Sequence, residues 1–123
     1  MKQAIAIKWA EMLESGLVPQ AYATNRNEKG LCVTSVLNNL HATLHPKIAA
    51  TQTNPKMYLG CDYGVAKDVM EWSGIKTGYG AIGGGPRIKC GNGSYDTLMS
   101  ANDTGHARFT TLAKYIRENW MTL

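Results

Sequence analysis

Residues 31–44 read Leu-Cys-Val-Thr-Ser-Val-Leu-Asn-Asn-Leu-His-Ala-Thr-Leu, and the architecture is best predicted from this stretch. Its apolar side chains recur at the spacing of a helix that is buried on a wide face; they are Leu31, Cys32, Val33, Val36, Leu37, Leu40 and Leu44. His45-Pro46 follows. Because a residue before proline is pushed out of the α region, the helix should end there. The stretch therefore predicts a central buried helix.

Amphipathic helices are predicted on both sides of this stretch. The first carries Ile5, Trp9, Met12 and Leu13 on one face and should end at Gly16. The last spans 107–121 and has the clearest periodicity, with Phe109, Leu112, Ala113, Ile116 and Trp120 on one face. Two shorter helices are expected between them, one from an Asp62 N-cap to Gly74 and one over 94–101 with Leu98 and Met99 inward.

The other segments predict little regular structure. Residues 19–29 are polar and favour a short hairpin or extended loop with a turn at 25–28, and 47–60 favour a loop with at most a short helical turn. Eight of the thirteen glycines lie between 74 and 93, a density that excludes a regular helix, and Ile88 with Cys90 predicts one short strand. We expect a mainly helical α+β fold: four to five helices around one core, with at most a small two- or three-stranded sheet.

Length and composition predict a single domain over 1–123. The chain is 44% hydrophobic and only 18% charged, which argues against disorder. The sequence has neither a long apolar run nor the apolar core of a signal peptide, so we expect a soluble protein in the cytoplasm. Three cysteines without a CxxC pair indicate reduced thiols. Neither a cofactor nor a metal is expected.

The charge distribution suggests a binding surface. The net charge is +4, and no acidic residue occurs from Lys29 to Cys61 or from Trp72 to Tyr95. If these acid-free stretches meet, they form a positive face for an acidic partner. The candidate binding residues are Lys47, Lys56, Arg87, Lys89 and Arg108. The alternative is that these charges only keep a small protein soluble.

Residues 78–83 match the dinucleotide fingerprint GxGxxG, but their surroundings do not. That motif needs a strand before it and a helix after it, whereas here a predicted helix precedes and Gly84-Gly85-Pro86 follows. Two interpretations stay open. The segment is either a plain mobile loop or a loop whose amides close over an anion beside Arg87 and Lys89.

Two residue sets could carry chemistry. His41 and His45 stand at a spacing that suits two metal ligands, but a third would have to come from Cys61, Cys90 or His106, so surface histidines are favoured. Cys32 lies near a helix start, a place that favours thiolates, and could form a Cys-His-Asn hydrolase site with His106 and Asn102. The apolar neighbours of Cys32 instead predict a buried, inert thiol.

Residues 102–105, Asn-Asp-Thr-Gly, are interpreted as a turn whose short side chains cap the last helix. Because of this turn and several other short motifs, the sequence resembles those of a set of small, largely uncharacterised phage and prophage proteins. The residues that carry the resemblance are Trp9, Ser15-Gly16, Gln20, Leu31-Cys32, Val36-Leu37, Trp72-Ser73-Gly74 and the turn before Phe109. The chain departs from their pattern at Thr34-Ser35, where they have a glycine, and at His106-Ala107-Arg108, which adds a residue. The resemblance implies a viral setting and a fold, not a reaction.

Three functions follow from these observations. The first is a non-enzymatic phage protein that binds a host protein, such as a nucleic-acid-handling defence complex, in the manner of an anti-CRISPR inhibitor. The second is a sponge for an anionic nucleotide that uses the glycine loop with Arg87, Lys89 and Arg108. The third is a cysteine hydrolase. The acid-free basic stretches favour the first two functions.

Overall fold

The computed structural model describes residues 1–23, 26–27 and 29–123. In this part of the chain the fold is mainly helical α+β, as predicted. The six helices are α1 (Gln3–Glu14), α2 (Val33–Leu44), α3 (Pro46–Ala49), α4 (Lys67–Ser73), α5 (Leu98–Asp103) and α6 (Phe109–Asn119). Four short strands form two antiparallel two-stranded sheets, β1 (Arg26–Asn27) with β2 (Gly30–Leu31) and β3 (Ile88–Cys90) with β4 (Gly93–Tyr95).

The core forms where α2 packs against α1, α4 and α5, with α6 lying along α1. Trp9 is fully buried there, and its indole Nε1 donates to the carbonyl of Val33 over 3.0 Å. Trp72 and Trp120 are half-buried and pack against the same core. Burial of the apolar stripes of α1, α2 and α6 supplies the main stabilisation.

The central helix begins two residues later than predicted. Leu31 pairs with Arg26 in the β1–β2 hairpin, and its amide donates to the carbonyl of Pro19 over 2.9 Å. Cys32 then takes the extended N-cap position before Val33. The predicted end is confirmed, because His45 is the C-cap and Pro46 starts the single turn of α3.

A short hairpin, one of the two structures expected for 19–29, is present from Arg26 to Leu31, whereas the turn expected at 25–28 falls partly outside the described residues. Arg26 and Asn27 pair as strand β1. Asn25 and Glu28 lie outside the described residues. The side-chain Oδ1 of Asn27 accepts from the amides of Lys29 and Gly30 and so holds the connection to β2.

Two predicted helix starts are wrong. Asp62 is not an N-cap: Gly64 has a φ of +87° and the amide of Val65 donates to the carbonyl of Gly78, so α4 starts at Lys67. Ser94 and Tyr95 belong to β4, and the helix predicted over 94–101 starts at Leu98, capped by the hydroxyl of Thr97. The predicted ends at Gly16 and Gly74 hold, and both glycines have positive φ.

No helix in the described part of the chain combines the length and the apolar character that crossing a bilayer requires.

Candidate binding cleft

A cleft of about 390 Å³ opens between α5 and two loops. Its lining residues are Tyr63, Tyr79, Thr97, Met99, Ser100 and Asp103. The two tyrosines are 51% and 52% exposed, which is unusual for side chains of this size. Their ring centroids lie 6.2 Å apart and the ring planes are tilted by 58°. The volume is near the lower end of the range for ligand sites, roughly 300–1,000 Å³, and suits one side chain or a small group.

Tyr63 is held in place by the residues that follow it. The side-chain Nδ2 of Asn38, on α2, donates to the carbonyl of Gly64 over 2.9 Å, and its Oδ1 accepts from the amide of Ala66 over 3.0 Å. Gly64 needs to be glycine, because its φ is positive and a Cβ would stand 2.8 Å from the carbonyl oxygen of Gly78. The 63–66 segment is therefore fixed to the central helix.

Tyr79 is tied directly to α5. Its carbonyl accepts from the amide of Met99 over 3.2 Å, and the next carbonyl, of Gly80, accepts from the amide of Leu98 over 3.0 Å. The amide of Val65 donates to the carbonyl of Gly78 over 2.8 Å, which joins the two tyrosine loops. Because backbone bonds connect all three walls, the cleft is preformed.

Asp103 supplies the one carboxylate among the lining residues. Its Oδ1 accepts from the amide of Ala23 over 3.0 Å and from Nδ2 of Asn102 over 3.1 Å. Across residues 1–23, 26–27 and 29–123, no hydrogen bond or ion pair reaches its second oxygen, Oδ2. The carboxylate is thus oriented but has spare acceptor capacity.

The charge of Asp103 acts on the Tyr63 hydroxyl. Burial is the largest cause that raises the pKa of the Tyr63 hydroxyl, and the negative charge of Asp103 raises it further. Both effects keep the phenol neutral and able to donate a hydrogen bond. With the hydroxyls of Thr97 and Ser100, the cleft offers aromatic faces, a fixed carboxylate and small donors and acceptors, a set suited to binding.

A family model described as a domain of unknown function, DUF8296, matches residues 1–120. The chain belongs to the DUF8296 family. No match to it is found among curated proteins or solved structures.

In this DUF8296 member the predicted basic residues lie on different elements. Lys47 is on α3, which packs against α2; Arg87 and Lys89 lie on or next to β3, which packs against β4 and α5. Lys56 is in the loop after α3, and Arg108 is the N-cap of α6. All are exposed. Arg87 donates to the side chain and carbonyl of Ser94 over 2.6 and 2.9 Å and lies 4.0 Å from Asp96.

The glycine-rich loop is built into the fold. The amides of Gly80, Ala81, Ile82 and Gly85 donate within the protein, to Thr77 for the first two and to Asp96 and Ile82 for the others. Helix α4 comes before residues 78–83 and strand β3 after them, the reverse of a dinucleotide site. Because these four amides donate to groups of the protein itself, they are not directed at a bound anion.

His41 and His45 stack on each other instead of converging on a metal. Their ring centroids lie 4.0 Å apart, and both rings meet the edge of Trp72. Nδ1 of His41 is 2.7 Å from the hydroxyl of Tyr58, while Nδ1 of His45 is 2.8 Å from the carbonyl of His41. Burial, and next the charge of His45, lowers the pKa of His41. Within the described residues no group of three His, Cys, Asp or Glu side chains could hold a metal ion.

The Cys-His-Asn arrangement is not assembled around an open nucleophile. Cys32 is 1% exposed, and its Sγ lies 3.0 Å from Oγ1 of Thr34, so its predicted burial is confirmed. Asn102 bonds to the start of α2 through the amide of Val33, whereas the ring of His106 lies against Gly91.

Residues 102–105 do not cap the last helix as predicted. Asn102 and Asp103 are the final residues of α5, and Oδ1 of Asn102 accepts from the first amide of α2. Oε1 of Gln20 accepts from the amide of Phe109 at the start of α6. Asp103 therefore contributes to the cleft and not to a cap.

Sequence reasoning did not single out the two tyrosines. The signal was present: each precedes a glycine, in the dipeptides Tyr63-Gly64 and Tyr79-Gly80, and both glycines have positive φ. A repeated Tyr-Gly pair places an aromatic ring beside a sharp backbone turn, where it is easily exposed.

Proposed function

We propose that this DUF8296 protein is a non-enzymatic binding protein that acts on a protein partner through the cleft of Tyr63, Tyr79 and Asp103. In the viral setting implied by the resemblance above, the partner is a host protein, such as a nucleic-acid-handling defence complex in the host cytoplasm. The protein then acts by occupying its target.

One observation carries this proposal: two half-exposed tyrosines line a preformed cleft beside an oriented carboxylate. Tyrosine is enriched in the energetically dominant parts of protein interfaces, because it offers a large contact area and a polar tip at a low cost in side-chain entropy. The backbone bonds of Tyr79 to α5 reduce that cost further.

The two alternatives have less support. A nucleotide sponge would need loop amides that face a phosphate, and those of Gly80, Ala81 and Ile82 donate within the protein. A cysteine hydrolase would need an accessible thiolate, and Cys32 is buried beside Thr34. A carboxylate in the cleft also disfavours an anionic ligand.

The test is a quantitative pull-down from host lysate, read by mass spectrometry, with four forms of the protein. We expect a partner that the wild type and the Cys32→Ser variant retain and that the Tyr63→Ala/Tyr79→Ala double variant loses. Leu17→Ala is the control, because it removes an apolar side chain that is 85% exposed elsewhere. Equal recovery with the double variant would refute binding through this cleft, and loss with folded Cys32→Ser would favour the hydrolase.

A further inference from the structure

The ligand that fits this cleft carries a positive charge. We infer that the cleft of Tyr63, Tyr79 and Asp103 binds the guanidinium group of an arginine side chain on the partner, an inference that rests on the function proposed above. The chain as a whole is basic, with a net charge of +4, so an acidic site within it is selective for a partner group of opposite sign.

The carboxylate determines the charge of the ligand. Oδ1 of Asp103 accepts from the backbone amide of Ala23 and from Nδ2 of Asn102, and no hydrogen bond from another described residue reaches Oδ2, which can accept from a ligand donor. The described residues that line the cleft include no lysine or arginine, so none of these lining side chains forms an ion pair with Asp103. A charge-assisted bond from a cation to a fixed carboxylate is roughly twice as strong as a neutral one.

The aromatic rings determine the shape of the ligand. The planes of Tyr63 and Tyr79 are tilted by 58° with centroids 6.2 Å apart, so a flat base or indole cannot be sandwiched between them. A cation can instead lie against one ring or both, since it is attracted to the electron-rich faces within about 6 Å of a ring centroid.

The hydroxyl groups favour arginine over lysine. Thr97 and Ser100 lie along the same wall as Asp103; their hydroxyl groups are hydrogen-bonded to each other, and Oγ1 of Thr97 also accepts from the amide of Ser100. A planar guanidinium carries five donors in a rigid fork and can stack on a tyrosine while it donates to Asp103 and to a hydroxyl oxygen. An ammonium is a more strongly hydrated point charge and gains less from the ring face.

The experiment uses two short peptides, acetyl-Gly-Arg-Gly-amide and the same peptide with citrulline, the neutral isostere of arginine. Each is titrated into isotopically labelled full-length protein, and NMR follows the rings of Tyr63 and Tyr79 and the amides of Ser100 and Asp103. We expect saturable shifts at these positions with the arginine peptide and binding of the citrulline peptide that is weaker by about tenfold.

Two variants locate the effect. Asp103→Asn keeps the oxygen that accepts from the amide of Ala23. It should weaken binding of the arginine peptide by about tenfold and leave the affinity for the citrulline peptide unchanged. Glu118→Gln removes an exposed carboxylate on α6 and should change the affinity for neither peptide. The comparison of the two peptides on wild-type protein stays decisive even where Asp103→Asn folds poorly.

Equal binding of the two peptides, or no shift at the cleft, would overturn the inference. Such a result leaves the proposed function intact if the Tyr63→Ala/Tyr79→Ala variant still loses its partner in the pull-down. Conversely, arginine-selective shifts at the cleft support its binding of a guanidinium group even where the double variant retains the partner; in that case the proposed function, and the placement of that arginine on the partner, are refuted.

Discussion

The side-chain Nε2 of Gln20 donates to Oδ1 of Asn102 over 2.9 Å, although the two residues are 82 positions apart. The same Asn102 oxygen accepts from the amide of Val33 at the start of α2, and Oε1 of Gln20 accepts from the amide of Phe109 at the start of α6. One pair of amide side chains thus caps two helices that the sequence separates widely. Asn102 also orients Asp103, which links this pair to the cleft.

Asn102→Ala should lower the free energy of unfolding by about 2 to 5 kcal/mol. It removes the partners of two backbone groups, the amide of Val33 and the carbonyl of Ala21, at a site that is 0% exposed. Urea denaturation measures this cost. Asn39→Ala is the control, because Asn39 is half-buried and its side chain makes a long hydrogen bond of 3.9 Å to the sulfur of Met12; its cost should stay below about 1 kcal/mol. A cost below about 1 kcal/mol for Asn102→Ala would mean that the pair is not structural.

Stability should fall as the pH drops below about 6.5, the ordinary pKa of histidine. Burial and the charge of His45 lower the pKa of His41 in the folded protein. As the pH falls, His41 is therefore protonated in the unfolded chain before it is protonated in the folded protein. The contribution of His41 to the free energy of unfolding is complete above about pH 6.5 and is lost as the pH falls toward the pKa of the folded state.

Thermal unfolding between pH 8 and 5 tests this dependence. The His41→Gln variant should show a shallower decline than wild type over the acidic part of this range, whereas Asn39→Ala, which keeps every titratable group, should retain the wild-type slope. Identical slopes for wild type and His41→Gln would show that His41 is not the responsible group.

The three thiols should react in a fixed order, with Cys61 first. Cys61 is half-buried, whereas Cys32 and Cys90 are buried, and burial also raises the pKa of Cys90. A thiolate is the reactive form, so both effects slow Cys90. Mass spectrometry after brief labelling of the native protein gives the order. Labelling of Cys32 at the rate seen in the unfolded chain would contradict its burial.

Cys32→Ser should cost at most about 1 to 3 kcal/mol of stability, because a smaller, more polar hydroxyl replaces the thiol at a buried position. Any partner binding should persist in the folded fraction, since the thiol lies below the surface and contacts Thr34 and Ser35. Denaturation of the variant, followed by the pull-down described above, tests both points.

Trp9→Ala should destabilise the protein more than Trp120→Ala. Trp9 is fully buried and its indole is hydrogen-bonded to Val33, so its loss should cost about 3 to 5 kcal/mol. Trp120 is only half-buried, so the Trp120→Ala substitution should cost about 1 to 3 kcal/mol. Chemical denaturation of the two variants measures the difference, and equal costs would place both rings in equivalent surroundings.

Reversal of Arg87 and Lys89 to Glu should slow association with an acidic partner surface and leave the melting temperature nearly unchanged. Both side chains are exposed, and the ion pair of Arg87 with Asp96 and its hydrogen bonds to Ser94 are solvent-accessible, so these contacts contribute little to folding. Because exposed charges are screened beyond about 8 Å at physiological ionic strength, association should also weaken as salt rises.

A matched control for this reversal is Lys8→Glu with Lys114→Glu, which changes the net charge equally at exposed helix positions. Association rates across a salt series compare the two. The role predicted for Lys47, Lys56, Arg87, Lys89 and Arg108 would be contradicted if salt and the reversals left association unchanged.

Local sequence features were enough to predict the helical framework. Helices α2 and α6 were predictable because each buries one face, which places apolar residues at the 3.6-residue period of a helix. The helix ends at Gly16, Gly74 and Pro46 were predictable because they follow from the backbone preferences of glycine and proline. The strand at Ile88–Cys90 was predictable because apolar Ile88 and Cys90 flank the charged Lys89. In each case the responsible residues are neighbours in the chain.

What only the tertiary structure decided depends on residues far apart in sequence. Asp62 fails as a cap because Val65 pairs with Gly78, and Asn102 caps α2 instead of α6 because α5 packs beside the start of the central helix. The same Val65–Gly78 bond brings Tyr63 and Tyr79 together, and the Ala23 amide orients Asp103, the last residue of α5, in the cleft that they line. A sequence specifies local conformation through each residue's own propensities, but a cleft exists only once long-range packing has brought its walls together.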